Sequence, residues 1–146
     1  MWVVFEGLDK AGKTTLEWAF LKATNFKHMI IDRGPIGYMT FDILFNRGSN
    51  ESQSNFIGYA KKATESNDFM IVYCFVSEEV AMKRLKEHNE ECPYNYGIAQ
   101  EILRKNICKF YKSEKVLMLD TTDKTVDECV ELIIQKLKEV QANEYN

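Results

Sequence analysis

Apolar residues are distributed along this chain in two rhythms. Four short stretches, Trp2 to Phe5, His28 to Ile31, Phe69 to Val76 and Val116 to Leu119, are apolar almost throughout. Runs of that length, bounded by turn-forming residues, predict strands buried on both faces of a parallel sheet. Between them apolar residues return every three or four positions, the helical spacing. Leu16, Ala19, Phe20 and Ala23 give one face to a helix from Thr15 to about Thr24, with Asn25 as its stop. Gly34-Pro35 opens a second helix reaching Phe45 or Asn46, where Pro35 suits the first turn. A third runs from Gln53 to Glu65. Ser77 caps a fourth that ends near Glu87 or His88, with Glu78 and Glu79 at its positive end. Ile98, Ile102, Leu103, Ile107 and Phe110 stripe a fifth over Gly97 to Tyr111. Thr125-x-x-Glu128 has capping-box spacing for a sixth, extending to about Leu137. Residues 46–55 are the most polar and turn-rich and are expected to form a mobile loop, 88–96 an irregular segment and 141–146 a frayed tail.

Strand and helix alternate over the whole length, with no repeat and no internal linker. That order predicts right-handed crossovers and one domain over residues 1–146. The expected fold is α/β: a three-layer α/β/α sandwich around a parallel sheet of about four strands. In such sheets ligands sit at the carboxyl ends of the strands. The segments after the first and second strands, Gly7 to Thr14 and Asp32-Arg33, should therefore share one rim.

The first of these segments carries the clearest chemistry. Gly7-x-x-x-x-Gly12-Lys13-Thr14 lies between a strand and a helix, the setting in which that spacing makes a phosphate-binding P-loop. Glycines let the backbone curl until the amides from Gly7 through Ala11 and Gly12 to Thr15 point inward at an anion. The helix start adds its positive end, Lys13 a charge for the β- and γ-phosphates, and the Thr14 hydroxyl a ligand for Mg²⁺.

Bulk properties narrow the field further. A net charge of −3 over 146 residues argues against a surface built to coat duplex nucleic acid, which leaves room only for a local basic patch. No run approaches the ~20 apolar residues that span a bilayer. The chain enters its first strand at once, so no targeting segment is expected and the cytoplasm is the default location, the host's if the protein is viral. Cys74, Cys92, Cys108 and Cys129 are irregularly spaced, which predicts reduced, mostly buried thiols and no zinc site.

Residues Phe5 to Thr15, Phe-Glu-Gly-Leu-Asp-Lys-Ala-Gly-Lys-Thr-Thr, closely resemble the phosphate loop of thymidylate kinases, above all those with a basic residue inside the loop. Asp32-Arg33, followed by a helix carrying Phe41, resembles that family's second signature. The order of Ile71 to Val76, Ser77-Glu78-Glu79, Lys83-Arg84-Leu85-Lys86 and Leu119-Asp120-Thr121 is similar to thymidylate and deoxynucleoside kinases, small phage-encoded members most of all. The resemblance implies an ATP- and Mg²⁺-dependent phosphotransferase, with Lys13, Lys10, Asp9 and Arg33 as catalytic residues. Gly7, Ala11, Gly12, Lys13, Thr14 and Thr15 would hold ATP, joined by Arg84 from a lid-like segment at about 84–97. Thr14 and Asp32 would hold the metal, and Asp9, Arg33, Tyr38 and Phe41 the acceptor. In that family lid arginines close over the phosphates, and Lys83, Arg84 and Arg104 are the basic candidates. His88 stands where a second lid arginine is usual, and Lys10 would supply the missing charge.

Several of these residues also have plainer readings. Lys10 and the lid cations are equally at home as solvated side chains, and Asp9 as a turn-stabilising residue. Tyr38, Phe41 and Phe45 lie at helical spacing, so they either stack on a base or face the core.

Only eighteen residues separate Lys13 from Asp32, too few for the extra strand and helices that thymidylate kinases place there. The acceptor region, about 34–60, is reduced. It is rebuilt from those residues, completed by a second subunit in a homodimer, or suited to something other than a free mononucleotide. Three readings follow: a (deoxy)nucleoside monophosphate kinase, a kinase of a deoxynucleoside or of a base or end in DNA, and a non-catalytic ATP-binding regulatory module.

Overall fold

The computed structural model describes residues 1–143. The strands are β1 (Trp2–Glu6), β2 (Met29–Asp32), β3 (Phe69–Phe75) and β4 (Val116–Asp120). The helices are α1 (Lys13–Ala23), α2 (Pro35–Leu44), α3 (Asn50–Glu65), α4 (Glu78–Glu87), α5 (Tyr96–Phe110) and α6 (Val126–Asn143), with a 3₁₀ turn at Ser113–Lys115. All strand pairs are parallel, in the order β2-β1-β3-β4, with Val4 opposite both Ile31 and Ile71. Helices α1 and α6 pack together on one face, and α2, α3 and α5 on the other. This is the three-layer α/β/α sandwich of P-loop proteins that the strand–helix alternation predicts.

The central strands meet the expectation of burial on both sides: β1 from Val3 onward and β3 from Met70 to Cys74 are inaccessible. The second strand does not. β2 is a half-exposed edge, with Met29 56 % accessible, because nothing pairs with its outer side. Its apolar run reflects packing on one face only.

Two helix boundaries and one buried face also differ. α3 starts at Asn50, so most of the expected 46–55 loop is helical. Ser49 caps it, accepting from the Ser52 amide while the Ser52 hydroxyl accepts from the Ser49 amide. α6 runs six residues past Leu137, to Asn143, which makes 141–143 helical; residues 144–146 of the expected tail lie outside the described residues. In α5 the buried face is Tyr96, Ala99, Leu103 and Ile107, and Ile98 turns out to solvent. The Thr125 cap opens α6 as its spacing predicts, accepting from the Glu128 amide. All four cysteines are free; Cys74 and Cys129 are buried, Cys92 half-buried and Cys108 exposed. No helix among the described residues is long and apolar enough to cross a membrane.

Candidate functional site

The loop after β1 wraps against the middle of the sheet. Gly7 passes so close to β3 that a Cβ there would lie 2.6 Å from the Cys74 carbonyl oxygen. Gly12 has open space around it but a φ of 88°, the left-handed conformation that ends the loop at the start of α1. Thr121, just beyond β4, donates from Oγ1 to the Ala11 carbonyl at 2.9 Å and pins the loop from behind. No side chain caps α1, which leaves its first amides unpartnered beside Lys13, Thr14 and Thr15. That is an anion seat of backbone origin.

Lys13 Nζ rests on Asp32 Oδ1 at 2.8 Å. Asp32, at the end of the neighbouring strand, is held below the usual carboxylate range by the nearby Glu17 carboxyl, whose Oε1 is buried without a hydrogen-bond partner, and then by Lys13. Glu17 is itself buried one helical turn after Lys13, and its carboxyl is pushed up to about 8, first by burial and then by Asp32. It therefore keeps its proton at neutral pH, and the sequence reading missed it. The resting partner of Lys13 is a partly exposed carboxylate, so the pair is weakly held.

The tip of the loop is held by the segment expected to form a lid. Lys10, at φ 67°, places Nζ 3.0 Å from Glu90 Oε1, while Arg84 Nη1 donates to the Lys10 carbonyl at 2.6 Å. Tyr96 donates to the Asp9 carbonyl at 3.1 Å, and the Tyr94 hydroxyl stands 3.5 Å from the Asp9 carboxylate. Residues 84–96 thus lie on the phosphate loop. Of the basic candidates only Arg84 reaches it. Lys83 is exposed, and Arg104 stacks over Phe75 at 4.7 Å. His88 joins Arg84 along the same cleft, with Nδ1 2.8 Å from the Arg84 carbonyl.

Arg33 follows β2 with φ 67°, and its amide donates to the Phe5 carbonyl at 3.0 Å. Its guanidinium lies 4.3 Å from the Phe41 ring and 5.8 Å from Tyr38, with Nη2 4.0 Å from Asp9 Oδ1. Of the two readings open for Phe41, the structure matches the core-facing one. Phe41 is 6 % exposed and is enclosed by Arg33, Phe45 and Tyr94, so its faces are taken and it supports the arginine. Tyr38 remains half exposed beside Phe56. Behind Arg33 the fully buried Glu6 accepts from the Gly34 and Gly37 amides and from Tyr111.

A cleft of about 630 Å³ runs from the loop residues Asp9 to Leu16, past Arg84 and His88, to Thr121, Lys124, Val126 and Cys129. Its far wall comes from the turn after β4 and from the start of α6. Its size suits a nucleotide. For a metal, the expected donors are the Thr14 hydroxyl, which lines the cleft, and the Asp32 carboxylate, which now holds Lys13 at the end of β2. No group of three or more His, Cys, Asp or Glu gathers among the described residues. That donor set fits Mg²⁺, which shares its coordination with substrate phosphates and water rather than requiring a protein cage.

No family model matches the sequence, and no curated protein matches it. Two solved structures share its fold. The YorR protein of Bacillus subtilis, in complex with phosphorylated GDP, aligns with a TM-score of 0.72 at 16 % identity, covering 94 % of this chain and 96 % of that one. Deoxyadenosine kinase from M. mycoides, with the products dCMP and a flexible dCDP bound, aligns with a TM-score of 0.57 at 20 % identity, over 94 % and 99 % of the two chains.

Proposed function

We propose that the protein is an ATP-dependent nucleotide kinase that transfers the γ-phosphoryl group to a (deoxy)nucleoside monophosphate. The preferred acceptor is thymidylate or a modified pyrimidine analogue. The observation that carries the reading is the pairing of two phosphate-seeking groups on one rim: the loop with Lys13, and the Arg33 guanidinium facing Asp9 across it. Both fold neighbours bind nucleotides, which supports the same reading.

Phosphoryl transfer needs charge neutralisation and in-line placement more than covalent help. The loop amides and Lys13 take the β- and γ-phosphates, with the rest of ATP extending along the cleft past Arg84 toward Lys124. Thr14 and Asp32 would hold Mg²⁺, which would supply charge neutralisation for the phosphates. Arg33 receives the acceptor's phosphate with its planar fork, and Asp9 orients it. Lys10 leaves Glu90 for the moving phosphoryl group, and Tyr38 offers its open face to the acceptor. A phosphate acceptor ionises by itself, so no general base is required. We place the protein, as a single domain, in the cytoplasm. A homodimer that completes the shortened acceptor region belongs to the same proposal.

A second reading, a deoxynucleoside kinase, is favoured by the deoxyadenosine kinase neighbour. It requires a base for the acceptor hydroxyl, and the Glu6 oxygens are already occupied, which leaves the exposed carboxylates Asp9 and Asp32. Labelled ATP offered with nucleoside monophosphates, nucleosides and DNA ends separates the possibilities. Transfer to a monophosphate, lost in Arg33→Ala, is expected. Transfer only to nucleosides supports the second reading, and nucleotide binding with no transfer to anything points to a regulatory ATP-binding module.

A further inference from the structure

We infer that Glu6 and Tyr111 are positioning residues for Arg33: the buried carboxylate, held by the tyrosine that follows α5, caps helix α2 from another strand and fixes the turn that aims the guanidinium at the phosphate loop. The inference rests on the reading of Arg33 as the group that receives the acceptor's phosphate.

Helix α2 begins with Gly34 as its N-cap and so has no side chain of its own to satisfy its first amides. Glu6, the last residue of β1, supplies the cap. Its Oε1 accepts from the Gly34 amide at 2.8 Å and from the Gly37 amide at 3.0 Å, and Oε2 lies 3.1 Å from the Gly37 amide. A carboxylate at the positive end of a helix is also well placed electrostatically. Both glycines make the approach possible. A Cβ at position 37 would lie 2.6 Å from Glu6 Oε1, and one at 34 would lie 2.5 Å from Val4.

Arg33 immediately precedes this cap and holds a left-handed φ of 67°, a conformation that persists in a side-chain-bearing residue only when its surroundings impose it. Phe5 imposes it from one side, accepting the Arg33 amide, and Glu6 from the other, accepting the amide of the next residue. The side chain adds little restraint, because Arg33 Nε is buried without a hydrogen-bond partner. Its direction therefore comes from the backbone and from the Phe41 ring. Glu6 in turn is fixed by Tyr111, whose hydroxyl donates to Oε2 at 2.7 Å. Tyr96, at the other end of α5, holds the Asp9 carbonyl. One helix thus sets both members of the Arg33 and Asp9 pair.

The test compares Tyr111→Phe, Glu6→Ala and Glu6→Gln in the full chain, each alone and combined with Arg33→Ala. The acceptor KM should rise about tenfold in Glu6→Ala and by less in Tyr111→Phe, while the ATP KM stays within about twofold. Glu6→Gln keeps an oxygen for both glycine amides and should recover most of the loss. In the Arg33→Ala background none of the three should lower kcat/KM for the acceptor further. Equal losses for ATP and acceptor, or a further loss in that background, overturn the inference.

Tyr111→Phe removes one hydroxyl and keeps the test open should Glu6→Ala fail to fold. The NMR signal of the Arg33 Nε–H gives a readout independent of turnover. It should be well dispersed and slow to exchange in the wild type, and move toward that of a free guanidinium in Tyr111→Phe. If the signal moves in a protein that transfers nothing, the kinase reading falls and the positioning role stands. If transfer occurs and neither the signal nor the acceptor KM responds, the positioning role alone falls.

Discussion

Gly7 and Lys13 represent two different demands that the phosphate loop makes on single residues. At Gly7 the demand is space. Its neighbour is a backbone carbonyl of the central strand, and neither chain can yield without breaking sheet pairing, so Gly7→Ala should cost about 2–3 kcal/mol in urea denaturation. At Lys13 the demand is charge. The pair with Asp32 contributes little to stability because Asp32 is more than half exposed. Lys13→Ala should leave the melting temperature nearly unchanged while lowering kcat by about 100-fold or more and abolishing calorimetric MgATP binding. An unaltered affinity would remove Lys13 from the donor site. Both residues are legible in the sequence because the loop is local: eight consecutive positions contain its glycines, lysine and threonine. The loop's restraints are not legible. Arg84 on the Lys10 carbonyl and Glu90 on the Lys10 ammonium are contacts between residues more than seventy positions apart, made only in the folded chain.

Element identities followed from the sequence better than element ends or exposed faces did. Every strand and helix occurs where apolar spacing places it, since periodicity over ten or more residues survives small errors. The start of α3 was obscured because its capping box uses Ser52 where the usual signature has Glu or Gln, and polar Ser-Asn-Glu-Ser reads as loop. Ser49→Ala should therefore destabilise the protein by about 1 kcal/mol, measured by chemical denaturation, and increase amide exchange in the first turn of α3. An unchanged stability would mean that α2 packing alone holds that end. In α5 the expected stripe holds at Leu103 and Ile107 and fails at its start, where Tyr96 and Ala99 rather than Ile98 face inward. The small Ala99 is fully buried, and the larger Ile98 is left outside. Hydrophobicity alone ranks the two residues the other way. β2 shows a related limit, because an apolar run does not say whether a strand is central or at an edge.

At the scale of the molecule, the topology gathers two kinds of carboxyl around the site. Exposed acids such as Asp32 and Asp9 remain ready for ligands, while Glu6 is sealed inside. Burial pushes the Glu6 carboxyl up to about 7, against the opposing pull of Tyr111 and the Gly37 and Gly34 amides, from 4.5 when unperturbed. Folding thus favours its protonated form. The corresponding stability is complete below pH about 4.5 and is withdrawn as the pH rises through about 7, amounting to about 3 kcal/mol. Glu17, raised to about 8, acts in the same direction, whereas Asp32 and Asp120 are depressed and weaken the fold only in acid. Urea midpoints of wild type and Glu6→Gln, compared from about pH 5 to pH 8, isolate the Glu6 contribution because the amide does not titrate. The stability of the wild type relative to the variant should decline from about pH 5 to about 7 and level off above it. A flat difference would mean that the three donors around the carboxylate compensate its burial, so that Glu6 stays charged in the folded protein.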